Sequence, residues 1–151
     1  MYDFAMQQRP EFLEVLNGRG LYRPRGQVSL DVAIEMVTNV LVYAREQGIK
    51  EMLANGRGLT GFDSPTLSER FFLAEKWAAA AAGAVRLSVC VHGHMIDPEK
   101  FGMTVANNRG LVSDVFDNEP DAIAWLDRFK LQSANRSQAA SGPSRSSIQG
   151  D

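Results

Sequence analysis

His92, His94 and Asp97 stand within six residues of one another in "HGHMID". Two imidazoles and a carboxylate are the donors of a metal triad, and either imidazole can serve as a general base near neutral pH. The chain has only these 2 histidines, so a three-histidine site is excluded. Gly93 separates the pair where a strand should end, and a pair of exposed loop histidines is the competing reading. Cys90, just upstream, is the chain's 1 cysteine. A lone thiol next to a histidine is a nucleophile only where its pKa is depressed, and a position inside a strand argues for burial instead. It also rules out an internal disulfide and a cysteine metal cluster, and it favours a reducing, cytoplasmic setting.

A second group lies in "NGRGLTGFDSPTLSER". Asp63, Ser64 and Thr66 immediately precede an apolar run of helical period, so they fall at a helix N-terminus. Free N–H groups and the helix dipole favour an anion there, whether a ligand or a phosphate on Ser64 or Thr66, with Arg57 and Arg70 close in sequence. Simple capping by the hydroxyls and surface pairing of the arginines, Arg109 included, account for the same letters. The glycines match neither G-x-x-x-x-G-K-[ST] nor G-x-G-x-x-G. "NGRGL" does occur at 17–21 and 55–59, with "NNRGL" at 107–111, but the spacings are unequal and the flanks differ. One copy reads as a hairpin turn, one as a strand-to-helix loop and one as a helix end, so these are turns and not a repeat. A nucleophile elbow, a P-loop and zinc spacing are all missing.

Several elements must position these groups. "EFLEVL" and "GLYR" read as strands joined by an Asn-Gly turn, and "PRG" as the end of that arm. Ser29 caps a helix with an apolar face at Leu30, Ala33, Val37, Val40, Leu41 and Ala44, stopped by Gly48. "IKEMLA" is the next strand, and the glycine-rich stretch after it a loop. The following helix has two candidate starts, Ser64-Pro65 and a Thr66/Glu69 capping box, with Leu67, Phe71, Ala74, Ala78 and Ala81 on one side and Gly83 as its stop. "AVRLSVCVH" alternates strictly, which predicts a sheet covered on one face. Asp97-Pro98 opens a short helix, "LVSDVF" is the last strand, and Asn118 caps a final helix bearing Ala122, Ile123, Leu126 and Phe129.

In 151 residues, 44% apolar and 23% charged, this amounts to one domain with a core. A net charge of −2 leaves no basic footprint for nucleic acid, and the apolar region around 77–96 is broken by Gly83, Arg86 and the histidines, so no membrane span is read there. The N-terminus lacks the apolar core of a signal peptide. We place an N-terminal extension at 1–10, the domain at 11–130 and a disordered serine-rich tail at 131–151.

The order of elements, with "LTGFDSPTLSER", "DPEKFGMTVANNRG" and "VFDNEPDAIAWL", resembles the SpoIIAA-like (STAS/SEC14-type) proteins of bacteria. The resemblance implies an α/β fold, a STAS-like mixed β-sheet of about five strands with helices packed mainly on one face. It also implies a serine switch: anti-sigma-factor antagonists are phosphorylated by a partner kinase at a serine that matches Ser64. Their pattern is closer to Asp-Ser-Ser/Thr-Gly, whereas this chain continues with Pro65 and Thr66. The expectation is therefore a non-enzymatic interaction or regulatory module, controlled by phosphorylation or anion binding at the 57–70 loop and helix start. Its partner would be a kinase or an anti-sigma-like regulator, a homodimer is compatible with an open sheet edge, and no cofactor is expected. The alternatives are a carrier of a small apolar ligand or lipid, and a hydrolase or metal-dependent enzyme using His92, His94 and Asp97.

Overall fold

Asn17 and Gly18 take left-handed φ values of 53° and 79°, and the chain reverses there. The arms are β1 (Leu13–Leu16) and β2 (Arg19–Tyr22), paired antiparallel. Positive φ at both turn residues matches the twist of the strands it joins, which is why Asn-Gly suits this position. The computed structural model describes residues 8–129. The expected serine-rich tail and most of the N-terminal extension lie outside the described residues.

After β3 (Arg25–Gln27), α1 (Leu30–Gln47) carries the chain across to β4 (Glu51–Asn55). Next come β5 (Gly58–Thr60), α2 (Leu67–Ala81), β6 (Arg86–Cys90), α3 (Phe101–Asn108) and β7 (Ser113–Phe116). A last helix, α4, covers residues 119–129 of the described chain. The five-stranded sheet has the order β1-β2-β4-β6-β7, and only the β1 pairing is antiparallel. Every crossover thus moves one strand further in the same direction. Right-handed crossovers of that kind deposit α1, α2 and α3 on a single face. Met52, Leu87 and Val89 meet Ile34, Leu41, Ala74 and Ala106 there in the main core. The expected mixed sheet with helices mainly on one face is what the chain forms. No helix among the described residues is long and apolar enough to cross a membrane.

The second face is not bare, contrary to the reading of the 85–92 alternation. Ser88 and Cys90 are fully buried. Leu21, Leu53 and Cys90 pack there against Ala122, Trp125 and Leu126 of α4. The Ser88 hydroxyl donates to the Ala122 carbonyl at 3.1 Å. Small residues with a satisfied hydroxyl let a helix approach closely, so the alternation marked side-chain size and not solvent.

Three further boundaries differ from expectation. "PRG" does not end the first arm: β3 pairs in parallel with β5, inside the supposed loop. Since β2 and β4 are already parallel neighbours, this small sheet continues their ladder beyond an interruption at Pro24, which has no N–H to give. Helix α2 buries Leu73, Ala74, Trp77, Ala78 and Ala81, while Leu67 and Phe71 are exposed, because its inner side is shared between α1 and α3. Finally, α3 begins at Phe101 and not at Asp97, since Lys100 is held at a left-handed φ of 52°.

Between the two candidate starts of α2, Thr66 prevails. Its side chain accepts from the Glu69 N–H at 3.2 Å, and the Glu69 carboxylate accepts from the Thr66 N–H at 2.8 Å. Ala82 takes the left-handed cap at φ 49°, one residue ahead of the expected Gly83. A Thr66→Ala protein is expected to lose about 1 kcal/mol in urea unfolding, the ordinary loss for a helix cap.

Candidate functional site

Parallel strands send their outgoing loops to one edge of a sheet, and a crevice opens there beneath the covering helices. In this chain the loops leaving β2, β4 and β6 gather at that edge. Ala54, Val89 and Val115 of the sheet, Ile34 and Val37 of α1, Leu73 and Trp77 of α2, and Met103 of α3 line a pocket. Pro24, Leu59 and Phe62, from the segments that carry β3 and β5, complete it. The cavity volume is about 130 Å³. An engineered apolar cavity of about 150 Å³ takes up benzene, which sets the scale of a fitting ligand at a ring or a short chain. Trp77 Nε1 donates to the Ile34 carbonyl at 3.2 Å, so its ring serves as an apolar wall with no stranded donor.

A few polar groups interrupt this lining. His92 Nε2 lies 3.0 Å from the Arg57 carbonyl, which can only accept, so the proton sits on Nε2. Asp97 Oδ2 accepts from the Phe101 N–H at 2.8 Å and caps the start of α3. Lys100 Nζ is 2.8 Å from Asp114 Oδ1 and lies over the Phe116 ring. Asn55 Nδ2 donates to Glu119 at 2.6 Å, and its Oδ1 accepts from the Arg57 N–H. Arg70 Nη1 donates to the Met95 carbonyl at 3.1 Å.

The two groups singled out from sequence turn out to be one assembly. Ser64 Oγ donates to the His94 carbonyl at 2.9 Å, Arg70 reaches Met95, and His92 reaches back to Arg57. The 57–70 arm is thereby tied three times to the 92–97 loop. The arginines do not converge on an anion, because Arg57 Nη1 donates to the Asp117 carbonyl at 2.6 Å, away from Arg70. Thr66 is occupied as a cap, and Asp63 is exposed. The rings of His92 and His94 stack at 5.8 Å. Among the described residues, no three His, Cys, Asp or Glu side chains are grouped to hold a metal ion. Burial pushes the Cys90 thiol up from its ordinary pKa, the opposite of an activated nucleophile.

Sequence reasoning offered a carrier of an apolar ligand but did not place the pocket's lining, and it missed one residue at the pocket's edge, Glu119. This carboxylate accepts from Arg23 Nε at 2.8 Å and Nη2 at 3.0 Å, and from Asn55, so the start of α4 is tied to the outgoing ends of β2 and β4. Only the remote position of Arg23 in the chain hides this pairing. The hydrogen bonds from Arg23, then that from Asn55, hold its carboxyl below the usual range despite partial burial. A depressed folded-state pKa adds stability that is complete above the unfolded value of about 4.3 and fades as pH falls through the lower folded value. Chemical unfolding from pH 6 downward is therefore expected to show an acid loss of stability that is smaller in Glu119→Gln.

Comparison with known proteins returns no match: no family model, no curated protein and no solved structure matches the chain.

Proposed function

We propose that this domain is a non-enzymatic binding module that takes a small apolar ligand at the outgoing edge of its sheet and offers the surrounding loops to a protein partner. The pocket carries this reading: it is concave, largely apolar and set with a few polar groups, the general character of small-molecule sites. The resemblance to SpoIIAA-like proteins agrees with it, at a scale set by the cavity: a ring or short chain fits, a two-chain lipid does not. The buried thiol of Cys90 suits a reducing, cytoplasmic setting. Native mass spectrometry of the protein purified from its own cells tests the reading. An adduct that leaves on denaturation supports it. A bare protein whose Trp77 indole resonance ignores benzene-sized probes would remove it.

A second reading is favoured by the Ser64 hydroxyl, which is exposed and donates to the His94 carbonyl. A phosphoserine has acceptor oxygens and about two negative charges where the hydroxyl donates now, so it would repel that carbonyl and release the arm from the 92–97 loop. This reading requires a partner kinase. Faster amide exchange across residues 92–97 in Ser64→Asp than in Ser64→Ala is its signature; equal exchange in the two proteins would count against it.

A further inference from the structure

We infer that the ligand of this pocket is a small carboxylate, a monoanion whose apolar body fills the cavity and whose head is held by Arg70. The inference rests on the pocket being a binding site, as proposed above.

The charges in the lining lead to it. Lys100 is neutralised by Asp114, with Nζ and Oδ1 2.8 Å apart. Asp97 Oδ2 is engaged by the Phe101 N–H. Arg70 lines the same pocket and, among the described residues, has no carboxylate within ion-pair distance; the one hydrogen bond its guanidinium makes to them is the Nη1 contact to the Met95 carbonyl. A guanidinium carries five N–H donors in a planar fork, and most of this fork is left over. Arg70 is also half-buried, so bulk water solvates it incompletely. Cations in such a setting favour a bidentate oxyanion, and a carboxylate has the matching fork.

The head's charge and the body's size follow from the same surroundings. One cation without an ion-pair partner among the described lining residues suits a single negative charge and not a phosphate dianion. Gly102, also in the lining, places α3 beside the Arg70 stem: a Cβ there would stand in ordinary van der Waals contact, 3.5 Å from Arg70 Cβ. Arg70 lines the cavity with Nη1 bound to the Met95 carbonyl, and the body it anchors must fit about 130 Å³. A ring or a chain of about six carbons matches that volume.

The pair of probes that tests this is hexanoate and hexanamide, of equal size and differing in charge. Binding is followed by the Trp77 indole N–H resonance, with Trp125, on the other face of the sheet, as internal reference. The wild-type protein is expected to bind hexanoate about tenfold or more tightly than hexanamide. In Arg70→Met that preference should vanish while hexanamide binding stays, and in Arg70→Lys it should be partly restored. Equal binding of the two probes by the wild type overturns the carboxylate and leaves the pocket standing, and it needs no variant to fold. A hexanoate preference that survives in Arg70→Met assigns the head to another residue and overturns the role of Arg70. If neither probe moves Trp77, the pocket reading falls and takes this inference with it.

Discussion

Glu51→Ala is expected to lower the unfolding free energy by about 3–5 kcal/mol, measured in urea. Glu51 sits at the incoming end of β4 with its side chain 8% exposed. Its Oε1 is 2.6 Å from Arg19 Nε, and its Oε2 is 3.1 Å from Arg86 Nη2. One buried carboxylate thereby bridges two guanidinium groups projecting from the strands on either side of it, and Arg19 Nη2 also pairs with Asp127 Oδ1 at 2.7 Å. Among the described residues, Arg86 Nε is already buried without a hydrogen-bond partner. Removing the carboxylate leaves Arg86 without an ion-pair partner among the described residues and Arg19 with only the exposed Asp127. The exposed partner in the network behaves differently: Asp127 is 60% exposed, and Asp127→Ala is expected to change stability by less than about 1 kcal/mol. Equal losses in the two variants would show that burial does not set the strength of this network.

Trp77→Ala is expected to lose about 3–5 kcal/mol, the range for deleting a buried aromatic ring. The indole is only 7% exposed and joins α2 to α1 through its bond to the Ile34 carbonyl. Taking it away vacates the wall shared by the core and the pocket and removes the tie from α2 to that carbonyl, which keeps its bond from Thr38 Oγ1 at 2.7 Å. Phe72, on the same helix, is 53% exposed, and Phe72→Ala should stay within about 0.5 kcal/mol. Thermal unfolding of the two proteins side by side separates loss of packing from loss of aromatic surface. Under the proposed function, the larger cavity of Trp77→Ala should also admit bulkier apolar probes.

How much of this was legible beforehand depends on the range of the determinant. Asn17-Gly18, Ser29, Gly48 and Thr66/Glu69 act within a few residues, and each turn or cap forms where its letters stand. Strand order was reachable as well, since each crossover simply adds the next neighbour. The β3–β5 pairing was not, because Arg25–Gln27 and Gly58–Thr60 carry little apolar pattern and pair only through the ladder of β2 and β4. The outward turn of Leu67 and Phe71 depends on where α3 docks, which periodicity along α2 cannot encode. For the site, the residues were visible and their relations were not. Ser64, Arg70 and His92 were noticed as carriers of chemistry, yet the structure fastens all three to backbone carbonyls. The pocket between them is assembled from separate elements, none of which signals it alone.

The strand order β1-β2-β4-β6-β7 also bears on how the chain is made. As it leaves the ribosome, each new strand finds its neighbour's edge already formed, so the sheet can grow by accretion without a long wait for a distant partner. The opposite face follows another timetable. Leu21, Leu53 and Cys90 come from three different strands, and their cover, Ala122, Trp125 and Leu126, is translated only afterwards. For the interval between those events the nascent sheet presents an apolar stripe spanning its central strands. A stalled or clipped chain ending before residue 119 would keep that stripe, and sedimentation should find it self-associating more strongly than a chain extending through α4.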